Sequence, residues 1–156
     1  MEAYFAALEG ASFAQTLRIS RWGYAAVNTA HILGIALLLG AIVPLNLRLF
    51  GLWSSVPLSA LVRVLVPVAA IGLAVAVTAG FLLFSVRAHE YSGIEFLQAK
   101  IALIALGTLS AVALHAKYGG LLDQTSRNRF TAHASVSMIC WLGAVICGRL
   151  IAFASD

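Results

Sequence analysis

Apolar residues run along this chain in four long blocks separated by short polar stretches. The blocks cover residues 22–47, 57–86, 94–118 and 130–153. Each exceeds the roughly 20 residues that a helix needs to cross a hydrocarbon core of about 30 Å. Ahead of them, residues 1–18 place Tyr4, Phe5, Leu8, Phe13 and Leu17 on one side, the pattern of a short helix lying in the membrane interface. The pattern therefore predicts an all-α fold: an integral membrane four-helix bundle with a short N-terminal interfacial helix, in a single domain. The connections are short, so neighbouring helices should run antiparallel. Aromatic residues mark the ends of the blocks, among them Trp22, Tyr24, Phe50, Trp53, Tyr91, Phe96, Tyr118 and Phe130. Glycines inside the blocks, such as Gly34, Gly72, Gly80 and Gly148, permit close helix approach, the usual means of association where water cannot drive it.

Composition agrees. Of the 156 residues, 62% are hydrophobic and 10% are charged, against about 25% charged in average soluble chains. Mean hydropathy is +0.96. The net charge of +4 comes from basic residues scattered at block ends rather than from a run, which fits lipid headgroups and argues against nucleic acid as a partner. The first residues, Met1-Glu2-Ala3, lack the positive region of a cleaved signal peptide, so the first hydrophobic helix is expected to stay in the mature protein. No internal repeat is evident.

Charge sets orientation only weakly. Arg48, Arg63, Lys117, Arg127 and Arg129 fall on the side of the first and third connections; Arg18, Arg21, Arg87, Lys100 and Arg149 fall on the side of the termini. The acids lean towards the termini, with only Asp123 opposite, although acids count little in topology. The expectation is a multi-pass protein of a bacterial inner membrane with periplasmic termini.

Candidate chemistry lies in the ionisable residues of the blocks, because such groups are costly in lipid. His31 is about nine residues, or roughly 13 Å, into the first helix. Lys100 lies early in the third helix on the same side, and Arg149 late in the fourth. His89 follows the second helix in the loop-like run Arg87-Ala88-His89-Glu90. His115 and His133 lie towards the opposite face. A b-type haem between helices needs one or two axial ligands, usually histidine. His31 is the first candidate, with His115 and His133 serving a second haem. Lys100 and Arg149 would form a cationic rim suited to propionates. Each has a plainer reading: a histidine bonded to a neighbouring helix, a solvated His89, an interfacial His115, a snorkelling lysine or arginine. Trp141 should face the bundle interior. Cys140 and Cys147 share a face with Met138 nearby, a set that soft copper ligation would use. No C-x-x-C-H motif is present, so covalent haem attachment is excluded.

The runs His31 to Gly40, Asn46 to Gly51, Thr78 to Phe84, Phe96 to Lys100 and Trp141 to Ala152 resemble an uncharacterised bacterial family of small four-helix membrane proteins. More distantly, the layout is similar to the membrane domain of CopD-type copper-resistance proteins. It is also similar to HemJ-type protoporphyrinogen oxidase, which has a histidine on its first helix and a lysine early in its third. His31 and Lys100 stand in those places. The resemblance implies haem binding at these two positions, while the flanking sequence departs from the HemJ pattern. The expected function is a haem b protein carrying one or two haems, acting in electron transfer or as an oxidoreductase on a quinol-type substrate, with a redox partner protein or a second copy of itself as further partners. Copper handling of the CopD kind, and a structural subunit of a larger membrane complex, are the alternatives.

Overall fold

The computed structural model describes the backbone of residues 2–118 and 127–154 and the side chains of residues 2–116 and 131–153. Lys117, Tyr118, Asp123, Arg127, Arg129 and Phe130, which enter the charge and aromatic patterns above, have side chains outside this set.

The described residues form helices α1 (Glu2–Gly10), α2 (Ser12–Ile19), α3 (Arg21–Leu49), α4 (Leu58–Val86), α5 (Ala88–Ser92), α6 (Glu95–Tyr118) and α7 (Arg127–Ala154). Among them α3, α4, α6 and α7 are long and apolar enough to cross a membrane, and the chain is a multi-pass membrane protein. Their cores coincide with the four apolar blocks, with no end moved by more than three residues.

Two details differ from the sequence expectation. The N-terminal segment is two helices, because Ala11 takes an extended conformation (φ −64°, ψ 141°) between them. The run containing His89 is a helical turn, α5, with His89 exposed. Tertiary contacts account for both. The Glu9 carboxylate accepts the backbone N–H of His89 at 2.9 Å and lies 3.6 Å from the Arg18 guanidinium. Arg18 also donates to the carbonyl of Val86. One carboxylate thus ties α1 to α2 and α5, and α1 and α2 pack beside the termini-side end of α4.

Local sequence sets the span ends. Ser20 is extended and its hydroxyl accepts the Gly23 N–H at 3.1 Å, an N-cap for α3. Beyond α3 the chain reverses through Gly51 (φ 107°) and Trp53 (φ 49°). Arg48 braces that reversal by donating to the carbonyls of Val56 at 2.8 Å and Ser54 at 3.2 Å. Pro44 and Pro67 lie inside α3 and α4, as membrane helices tolerate.

The helices pair as two hairpins. The tightest packing joins α3 to α4, the next α6 to α7, and α3 meets α7 between the hairpins. The α3–α4 crossing is backbone on backbone: a Cβ built on Gly34 would lie 2.6 Å from the amide nitrogen of Ala76, and one on Gly72 would lie 2.6 Å from that of Leu38. Across the hairpins, the buried Asn46 donates to Ser137 Oγ at 3.0 Å. Near the connecting loops Leu49, Val62, Leu114 and Ala134, one from each spanning helix, close a common core. Towards the termini the hairpins diverge. Among the described residues, α4 and α6 make no close backbone approach at all.

Candidate functional site

The divergence leaves a cleft of about 740 Å³ in the termini-side half, walled by α3, α4, α6 and α7. That volume lies within the roughly 300–1,000 Å³ typical of ligand pockets. Leu38, Leu73, Phe84, Ile104 and Trp141 contribute to its apolar wall. Its polar groups are Asn28 and His31 from α3, Lys100 from α6 and Arg149 from α7. Among the described residues no carboxylate lines it.

His31 is held in one orientation. Its Nδ1 lies 2.7 Å from the carbonyl oxygen of Ala76 on α4. A carbonyl can only accept, so Nδ1 carries the proton, and in the neutral ring Nε2 keeps a lone pair. This is the arrangement in which histidine serves as a metal ligand, its other nitrogen fixed by a backbone carbonyl. Gly80, one turn beyond Ala76, makes room for the ring: a Cβ there would lie 2.9 Å from His31 Cε1. The Gly34–Gly72 crossing makes the His31–Ala76 bond reachable, because Gly34 is one turn from His31 and its missing side chain faces Ala76 itself.

Lys100 reaches into the cleft against α7, where its Nζ would be 3.2 Å from a Cβ on Gly148. Among the described residues its ammonium has no carboxylate partner; the ion pairs found are Arg18–Glu9 and Arg87–Glu90, both near the termini-side surface. Arg149 is exposed at the rim, its guanidinium 5.2 Å from the centroid of the Phe153 ring. Trp141 is buried, 4% exposed. Its indole packs on Gly107, where a Cβ would lie 3.2 Å from Trp141 Cε2.

The structure therefore brings His31, Lys100, Arg149 and Trp141 together, as their depths along the helices suggested. It does not bring His89, which sits outside on α5. His115 and His133 lie elsewhere on α6 and α7. His115 Nδ1 donates to the carbonyl of Ala111 in its own helix at 2.9 Å, and its Nε2 is buried with no hydrogen-bond partner among the described residues. His133 Nδ1 is 3.4 Å from Ser110 Oγ. Cys140 is buried against Gly107, whereas Cys147 neighbours Lys100. Among the described residues no group of three or more histidine, cysteine or acidic side chains is placed to hold a metal ion.

Sequence reasoning passed over the residues that shape the site without being polar: the Ala76 carbonyl and the spaces at Gly80 and Gly148. Those glycines were legible only as general packing positions. The Asn46–Ser137 pair was also missed, since neither residue is ionisable. A scan of protein-family models, a search of curated proteins and a search of solved structures each give no match to this chain.

Proposed function

We propose that this chain binds a b-type haem in the termini-side cleft and works as an electron carrier or oxidoreductase of a bacterial inner membrane, with its termini in the periplasm. The observation that carries the reading is His31: a half-buried histidine in a span, locked through Nδ1 to a backbone carbonyl, with its remaining lone pair available in an apolar cleft that has a cationic edge. When bound, haem supplies one-electron chemistry through its iron. The chain's own residues fit that group. His31 Nε2 would hold the iron. The Ala76 carbonyl fixes the tautomer and raises the basicity of the ring. Lys100 and Arg149 would pair with propionates through charge-assisted bonds, and a propionate would supply a counter-charge that Lys100 does not find among the described residues. The apolar wall, Trp141 included, keeps water from the macrocycle. The electron partner is a quinol in the bilayer or a protein at its surface.

The proposal is for one haem in this cleft. A second haem on His115 and His133 has less support, since neither histidine is among the residues that line the cleft. Copper handling also has less support, because Cys140 and Cys147 face different neighbours.

The test is a dithionite-reduced minus oxidised visible spectrum of the purified protein, with pyridine haemochrome quantification, on wild type and His31→Ala. A b-type spectrum that His31→Ala abolishes or shifts supports the reading. A colourless wild type, produced with ample haem supply, overturns it.

A further inference from the structure

The cleft has two ends and two sides, and they are not equally open. At the connecting-loop end the four-helix core around Leu49, Val62, Leu114 and Ala134 closes it. At the termini end, Phe84 of the cleft wall meets the ring of Phe5 on α1 edge to face, 6.2 Å between centroids. The Glu9 and Arg18 contacts hold α1 and α2 against α4 and α5 at that end. On one side α3 and α7 approach each other backbone to backbone. The opposite side is the gap between α4 and α6, where no backbone approach closes the bundle. Its edges are apolar and exposed: Val77 is 51% and Phe81 49% accessible on α4, and Ile101 is 58% accessible on α6. These residues lie well within the spanning segments, so this opening faces lipid chains.

The chemistry behind the gap is selective. Lys100 is a cation inside a membrane span with no carboxylate among the described residues to balance it. A bare ammonium there is costly, and an acidic ligand removes the cost. The wall that such a ligand would slide along is hydrocarbon and aromatic. Taken together, the geometry points to a lateral portal: the cleft exchanges its ligand with the bilayer through the α4–α6 gap, and that ligand is a membrane-dissolved acidic amphiphile whose carboxylate pairs with Lys100. This deepens the haem reading, since haem with its propionates belongs to that class, but the portal does not depend on haem being the occupant.

The buried Trp141 reports on the cleft. In a Trp22→Phe, Trp53→Phe protein it is the sole indole. In lipid nanodiscs at alkaline pH, dibrominated stearic acid should quench Trp141 at concentrations about tenfold below those its methyl ester needs, the ratio expected of one charge-assisted hydrogen bond. Lys100→Gln should remove the difference. A second variant adds Val77→Cys and Ile101→Cys in a Cys140→Ala, Cys147→Ala background. Bridging the gap through disulfides with bis-methanethiosulfonate reagents of graded length should abolish the quenching by the acid, and reduction should restore it. Equal quenching by acid and ester, or quenching indifferent to the bridge, overturns the proposal. Haemin added to bridged and open proteins separates the two readings. Portal-dependent quenching with no haem spectrum in the open protein leaves the portal and ends the haem reading. A haem spectrum that forms as fast in the bridged as in the open protein leaves haem and ends the portal.

Discussion

Replacing Gly34 by alanine places a methyl group 2.6 Å from the amide nitrogen of Ala76 and 2.9 Å from the carbonyl oxygen of Gly72. Both are backbone atoms of α4, so no side chain can turn aside. Bringing the shorter contact to 3.4 Å, where ordinary packing begins, requires α3 and α4 to part by about 0.8 Å at that level. Ala76 is also the residue whose carbonyl accepts the 2.7 Å bond from His31 Nδ1. The same movement stretches that bond to about 3.5 Å, the limit of a hydrogen bond. Overpacking costs about 1–3 kcal/mol, and a hydrogen bond between membrane helices about 0.6–1.7 kcal/mol. Gly34→Ala should therefore destabilise the protein by about 2–5 kcal/mol. It should also loosen the imidazole and, on the haem reading, weaken haem binding by about 10–100-fold, as loss of an outer-shell partner does. Titration of the folded protein with sodium dodecyl sulfate, followed by circular dichroism, measures the first effect, and haem titration the second. Gly40→Ala is the control on the same helix, because a Cβ there meets nothing within 4 Å. If Gly34→Ala and Gly40→Ala differ by less than about 0.5 kcal/mol, a spread typical of unremarkable substitutions, then the backbone-on-backbone crossing is not what positions His31.

Further expectations follow from individual contacts. Asn46→Ala and Ser137→Ala should each cost about 0.6–1.7 kcal/mol, and the double variant little more than either, which a double-mutant cycle in the same assay would read; full additivity would show that the bond contributes nothing. Gly80→Ala should displace the His31 ring, met at 2.9 Å, and alter the haem spectrum or affinity. Gly148→Ala should be tolerated, because it meets only the flexible end of Lys100 at 3.2 Å; equal effects of the two would contradict the assignment of the tight pocket to His31. Glu9→Gln removes the charge beside Arg18 and should increase protease cleavage or hydrogen exchange in α1 and α2 while leaving the four spans protected. Unchanged exchange there would show that the apolar contacts of α1, such as Phe5 on Phe84, suffice to hold it.

The sequence by itself determined the solvent and the skeleton. Four apolar blocks of this length admit only helices in lipid, since every backbone group must find its partner within its own segment. Period and hydropathy are properties of consecutive residues, so the span limits were legible to within a few positions. The placing of His31, Lys100 and Arg149 at similar depth was legible for the same reason: helical rise converts residue count directly into depth. What counting along one helix cannot supply is which faces meet. Whether His31 points at lipid, at α4 or at α7 depends on the rotation of α3, and that rotation is set by the Gly34–Gly72 contact between residues 38 positions apart. The break at Ala11 and the helical turn at His89 were likewise decided by the Glu9 carboxylate bridging α1 to α2 and α5. The divergence of the hairpins, which turns a bundle into a cleft, has no local signal at all. It arises because α3–α4 and α3–α7 have close-packing surfaces while α4 and α6 make no close approach among the described residues and leave Val77, Phe81 and Ile101 exposed. In lipid, unlike in water, no general drive to bury apolar surface forces such a gap shut.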